Sequence, residues 1–451
     1  MKQQYKILLS AIGIIVLAAG LSLAFLPWKI PLGKKLQTLL EAKGFHHVRL
    51  TVSDVNFNNA TLRNITIGDD NPLTLKNITI HYSPSEIWKG NLRELTVSGL
   101  ALEVRQKEGR WTVQGFNSPS PEAAFHLPVT PEQIAEIPFD NLKLSDSTIN
   151  IVSDAWKISM PIELEWRKTA GPEISLHAKG AAFNGNKMKA RIAKVDVKTK
   201  MDNESWQGPW DLEGIQFEAS DAAIPVMDGT GTLKADAETL TLTGRMKDKD
   251  ESYKAAFTLA YPWADSQKAT LTLTEGSMPW HGGKLALNRT VVPLVGSSPV
   301  RLTLQVEKVS AGELMQTLTG KRIAATGIIS GALPLIIGRD GSVSFGDGKL
   351  KAEGPGTISM PPDVIPGDNE QVALTRNILK NFHYDGLSLS VSNGTDGALS
   401  VLVALEGKNP EVLGGRAAKL NIRLNGDILD LVRQSAIFLA EPPKILNQER
   451  P

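Results

Sequence analysis

The sequence predicts a mainly β fold: a single N-terminal transmembrane helix followed by a long curved antiparallel β-sheet, trough-like, with a few short helices. Three observations predict it. Two-residue alternation of apolar and polar side chains recurs along most of the chain, helical patterns are few and brief, and a twenty-residue uncharged run stands at the start. Alternation means a sheet with one apolar and one wet face.

The uncharged run is "ILLSAIGIIVLAAGLSLAFL", residues 7–26. A helix of that length spans the roughly 30 Å hydrocarbon core. The alternative is a cleaved signal peptide, since Ser22 and Ala24 form a small-x-small site, but a signal core runs about 7–15 residues. A retained anchor (1–30) is therefore expected. After it, "IPLGKKLQTLLEAKGF" carries Leu36, Leu39 and Leu40 at helical spacing, so 31–60 reads as a short amphipathic helix and the entry to the sheet.

The alternation then begins. "LKNITIHY" sets Ile78, Ile80 and Tyr82 on one side, and "LTVSGLALEVRQKEGRWTVQGF" reads as strands around the turn "KEGR". "LRELTVSGLALEV" and "FDNLKLSDSTINIV" each read as a strand, a turn and a second strand, the look of a long antiparallel meander. In "VRLTLQVEKV", Val300, Leu302, Leu304 and Val306 face one way and Arg301, Thr303, Gln305 and Glu307 the other. The division expected is 61–300 for the first part of the sheet, 301–440 for a C-terminal β domain and 441–451 for a tail. The Pro-rich stretches 117–133 and 360–370 read as loops crossing between parts of the sheet. "SAGELMQTLTG" has Ser310 and Glu313 at capping-box spacing. "NEQVALTRNILKNF" places Leu374, Ile378 and Phe382 on one stripe, and "DILDLVRQSAIFLA" is another amphipathic candidate.

Composition excludes several chemistries. Lys plus Arg number 49 against 48 acids, so no basic footprint points to nucleic acid. Without cysteine there is no disulfide, thiolate nucleophile or thiolate metal site. "GDGKL" has Leu350 where a phosphate-binding loop needs a hydroxyl, "GTGTLK" and "GPGTIS" lack a third glycine, and HExxH and GxSxG are missing. His81, His126, His177, His281 and His383 are scattered. No enzyme, metal or cofactor is expected. The Lys-rich stretch 185–200 could attract anionic headgroups, but interspersed Ile192, Val195 and Val197 favour a wet strand face.

At 323–356 the residues resemble a known family. "ATGIISGALPLII" and "GDGKLKAEGPGTI" are similar to the signature of the YdbH family, within the AsmA-like, TamB-like group of Gram-negative envelope proteins. The matching positions include Gly327, Gly331, Pro334, Leu350, Gly354, Pro355 and Gly356, and "LTRNILKNFHYDGLSLSV" with "LVALEGKNPEVLGGRAAKLNIRLN" looks like its terminal domain. The resemblance is specific over about 300–425. It implies an inner-membrane anchor, a bulk in the periplasm, and a curved sheet whose apolar face conducts phospholipid toward the outer membrane. A small outer-membrane lipoprotein (YnbE-like) would extend the sheet by strand addition at the C-terminal end. Gly331, Pro334, Gly354, Pro355 and Gly356 would then supply the bulges and turns that bend the ribbon. The candidate groove residues are Val300, Leu302, Leu304, Val306, Leu387, Leu389, Val391, Leu420, Ile422 and Leu424. A non-catalytic scaffold that recruits envelope proteins through a sheet edge is the other reading.

Overall fold

Each half-apolar ribbon must bury one face and wet the other, and pairing with neighbours does both. The computed structural model describes residues 47–425 apart from 116–133 and some shorter stretches, together with Lys34, Gln37, Thr38, Leu40 and Glu41. The anchor candidate 7–26, the loop 117–133 and the amphipathic candidate 427–440 lie outside the described residues. No described helix is long and apolar enough to cross a membrane. Lys34, Gln37, Thr38, Leu40 and Glu41 are helical, and Leu40 is buried in the first core.

The described residues form two compact units. The first takes those up to 219, with 224–244 and 259–266; the second takes 245–258 and those from 267 onward.

The first unit holds β1 (Arg49–Val55), β2 (Asn59–Ile67), β3 (Leu73–His81), β4 (Leu92–Ser98), β5 (Ala101–Lys107), β6 (Arg110–Val113), β7 (Phe139–Val152), β8 (Trp156–Arg167), β9 (Glu173–Gly185), β10 (Met188–Asp202), β11 (Ser205–Ala219) and β12 (Met227–Ala235). Most neighbours are antiparallel, and β5 and β6 form the hairpin expected around "KEGR". The sheet is nonetheless mixed, a correction to the antiparallel expectation. β4 and β5 both pair parallel with β7, with Leu92 facing Phe139 and Ala101 facing Thr148. A parallel pair needs a crossover of a dozen residues or more, and the chain between β6 and β7 has that length.

The unchanged offset to β7 means that β4 and β5 are one running strand, broken only at Gly99 and Leu100. "LRELTVSGLALEV" and "FDNLKLSDSTINIV" therefore contain no reversing turn. In its place stands a left-handed residue: Gly99 has φ 67° and Asp146 has φ 46°. Similar residues recur in β2 (Asn64, 51°), β9 (Gly180, 71°) and β11 (Gly214, 65°). The pairing of Arg63 with Asn77, Asn77 with Ser98 and Ser98 with Ser145 sets Asn64, Lys76, Gly99 and Asp146 side by side. Further along, Gly180 and Gly214 flank Ala193. At each crossing the apolar spacing changes from two to three: Leu62 to Ile65, Leu75 to Ile78, Val97 to Leu100, Ala178 to Ala181, Leu212 to Ile215. An extra residue keeps the later apolar side chains on the earlier face and bends the strand. The first core gathers Val52, Leu62, Ile80, Leu95, Phe139, Trp166 and Trp206. Phe139 and Trp166 meet edge to face with centroids 5.4 Å apart.

β13 (Thr239–Asp248) and β14 (Lys254–Pro262) have residues in both units. The second unit continues with β15 (Thr270–Trp280), β16 (Gly283–Leu287), β17 (Thr290–Pro293), β18 (Val300–Ser310), β19 (Ala324–Ala325), β20 (Ile328–Ile337), β21 (Val343–Phe345), β22 (Gly348–Ala352), β23 (Gly356–Ser359), β24 (Phe382–Asn393), β25 (Leu399–Lys408) and β26 (Ala417–Asn425). From β15 to β26 every recorded pair is antiparallel. Among the described residues two α-helices interrupt it. In α1 (Ala311–Thr319) the Glu313 N–H donates to Ser310 Oγ at 3.3 Å, one half of the expected capping box, while the Ser310 N–H donates to the His281 carbonyl at 2.8 Å. In α2 (Glu370–Leu379) Asn369 Oδ1 accepts from the Val372 N–H at 2.8 Å. The predicted α2 stripe is corrected: Leu374 is exposed, Phe382 already belongs to β24, and Ile378 and Leu379 are the buried pair. The helix ends one turn before Phe382, so helical spacing does not reach it.

A bulge in β18 falls between Val306 and Val309, where Lys308 takes φ 52°. Its N–H donates to Ser330 Oγ at 2.9 Å, and Ser330 in turn donates to Glu353. Left-handed backbone costs a side-chain-bearing residue about 1–2 kcal/mol, partly offset in a glycine by its freer unfolded chain. Lys308→Gly is expected to raise stability by about 0.5–1 kcal/mol, read as a higher urea midpoint at unchanged slope. A lower midpoint would contradict this account of the bulge.

Candidate functional site

The second unit's pairing joins apolar residues into rows on one face. One row runs Met278, Leu285, Val306, Gly331, Leu350, Leu389, Val403, Ile422, each facing the next across a strand pair. Beside it lie Leu287, Leu304 and Leu333, and then Val391, Val401 and Leu424. Two further sets complete the face: Leu335 between Leu302 and Phe345, and Leu405 between Leu387 and Leu420. All ten sequence-predicted groove positions therefore fall on one face. Leu302, Leu304, Val306, Leu387, Leu389 and Val391 are buried, and Val300, Leu420 and Ile422 are half-buried. Leu424 is placed by register alone.

The face has two parts. At the end of β18 that leads into α1, Ala311 and Leu314 of α1 and Ile378 and Leu379 of α2 pack onto it with Phe382, Tyr384 and Leu405. The other part gathers Leu302, Leu304, Leu335, Ile337, Phe345 and Val391, all strand residues, with Leu287, Val300, Leu333 and Val401 half-buried around them.

Gly331 and Pro334 lie inside β20 and not in a turn. Pro334 O accepts from the Gly346 N–H at 2.8 Å, so the proline stands opposite the break between β21 and β22, an interruption of the ladder where a residue without an N–H is tolerated. Gly354, Pro355 and Gly356 span the break from β22 to β23. Tyr384, 1% exposed, donates its hydroxyl to the Thr326 carbonyl at 2.5 Å. A Cβ at Gly327 would stand 2.1 Å from that hydroxyl, and one at Gly356 would stand 2.4 Å from it. Both positions are empty of side chain because the phenol fills them. Burial pushes the Tyr384 phenol above its usual pKa, which keeps it a donor.

Sequence reasoning missed Tyr384, Leu335, Phe345, Leu350, Val403 and Leu405 as members of this face. The first four belong to short or glycine-interrupted strands, where alternation is hard to read. The Lys-rich stretch, by contrast, is met by acids: Lys194 bridges Asp196 at 2.7 Å and Glu213 at 2.9 Å, and Lys198 and Lys200 reach Glu173 at 3.1 and 3.5 Å. Those contacts hold Asp196 and Glu173 below the ordinary carboxylate pKa, the lysine hydrogen bonds being the largest cause in each.

The second unit thus has one continuous apolar face of buried aliphatic side chains bordered by half-buried ones. Residues 251–440 match the YdbH-like family, described as the intermembrane phospholipid transport protein YdbH. The match contains the whole "GIISGALPLII" to "GPGTI" motif and so bears out the resemblance read from it. No curated protein and no solved structure matches the chain.

Proposed function

We propose that the chain carries phospholipid between membranes, its second unit giving acyl chains a dry bed along the apolar face. The observation that carries this reading is the strand-only part of that face around Leu302, Leu335 and Phe345, within a region similar to a phospholipid transport family. Burying a methylene is favourable by about 0.8 kcal/mol, so a bed of aliphatic side chains holds an acyl chain without any reactive group. On this reading residues 7–26 anchor the protein in the inner membrane, the sheet stands in the periplasm as a bridge, and the lipid moves toward the outer membrane. A small outer-membrane lipoprotein would add a strand to β26, which among the described residues pairs on one side only, with β25.

The test is transfer of a fluorescent phospholipid from donor to acceptor vesicles by the purified chain. Val300→Asp puts a charge on the half-buried border of the bed without emptying a packed position, and is expected to lower the transfer rate about tenfold or more. Thr303→Asp, on the opposite face of the same strand, is expected to leave it unchanged. Equal rates for both variants, with both folded, would favour the scaffold reading. That reading rests on the same one-sided β26 and expects loss of partner pull-down when 419–424 is disrupted.

A further inference from the structure

The apolar rows contain one charged position. Gly276 faces Leu287 and Thr272 faces Val291, so a single register runs through β16, the two residues after it and β17. Counting along that register, Arg289 stands between Leu287 and Val291 in the apolar row and opposite Thr274. The Leu287–Leu304 pair brings it beside Leu302 on the other side. Arg289 and Thr274 are exposed, and Arg289 forms no ion pair among the described residues. Two residues further along the same strand face, Val291 is a large apolar side chain open to solvent.

A cation bordered by aliphatic side chains matches an amphiphile that carries an anion at one end. We propose that Arg289 binds the phosphate of a phospholipid whose acyl chains lie over Leu302, Leu335 and Phe345. The proposal rests on the lipid-holding reading above and adds to it a headgroup position and a polarity. The guanidinium offers a planar fork of donors to two phosphate oxygens, which a lysine ammonium replaces only as a point charge. The Thr274 hydroxyl, across the strand pair, supplies a further donor. Apolar neighbours lower the local dielectric and strengthen the charge contact relative to open water. Exposed Val291 then forms the lip over which a lipid enters.

The experiment labels the purified full-length chain with two photoactivatable lipids bearing the same acyl probe, phosphatidylglycerol and diacylglycerol. Wild-type protein is expected to be labelled by both. Arg289→Glu is expected to lose phosphatidylglycerol labelling at least fivefold while diacylglycerol labelling stays the same, and Arg289→Lys to keep most of the former. Equal phosphatidylglycerol labelling of wild type and Arg289→Glu would overturn the headgroup site and leave the lipid-holding reading standing. Labelling of wild type by neither lipid would overturn both. A matching fall in both lipids for Arg289→Glu would mean a lost fold or a general blockage and would also contradict the site.

Discussion

Gly327→Ala is expected to cost the second unit about 2–5 kcal/mol, summing an overpacking penalty and left-handed strain. Gly327 has φ 109°, and the added methyl carbon would sit 2.1 Å from the Tyr384 hydroxyl, with the ring carbon bearing it at 3.3 Å. The phenol cannot retreat easily, because it is buried and tied to the Thr326 carbonyl. Tyr384→Phe removes the clashing atom along with one hydrogen bond, and alone should cost about 1 kcal/mol or somewhat more. In the Tyr384→Phe background the alanine should therefore cost less than it does alone, by about 1–2 kcal/mol, a coupling that a double-mutant cycle measures directly. Strict additivity would mean that the glycine is kept for its backbone conformation alone.

Leu405→Asp is expected to cost more than about 4 kcal/mol, enough to unfold the unit, whereas Leu402→Asp should stay within about 0.5 kcal/mol of wild type. The two residues share β25 but face opposite ways. Leu405 is 1% exposed between Leu387 and Leu420, in the part of the face covered by α1 and α2, where a carboxylate would be buried among apolar side chains. Leu402 is 36% exposed and pairs with Arg423 across the strand. Urea unfolding of both variants checks the assignment of faces. Comparable losses would contradict it.

These contrasts also show what could be read in the residues. Long unbroken alternation, as in Val300 to Val306 or Leu387 to Val391, put the right side chains on one face, because a period of two leaves no freedom once one side is buried. Ser310 and Glu313 marked the start of α1 by cap chemistry. The misreadings came where a single residue departs from the pattern. Gly99 and Asp146 resemble turn residues, yet one left-handed residue bends a strand without reversing it. The change of apolar spacing from two to three at the same places was the available signal. Parallel pairing of β4 and β5 with β7 was not legible, because direction is decided by the length of the connection and not by the strands. The role of Gly327 and Gly356 needed Tyr384, more than two dozen residues further along the chain, which only the fold brings to them.

The central claim is that lipid lies on the apolar face of the second unit, and a photo-crosslinking residue tests it most directly. We would place it at Val300, half-buried at the border of the strand-only cluster, and separately at Arg301, exposed on the opposite face. The account predicts covalent capture of phospholipid in intact cells from position 300 and none from 301. Capture from neither position, with both proteins present and folded, would contradict it, as would equal capture from both.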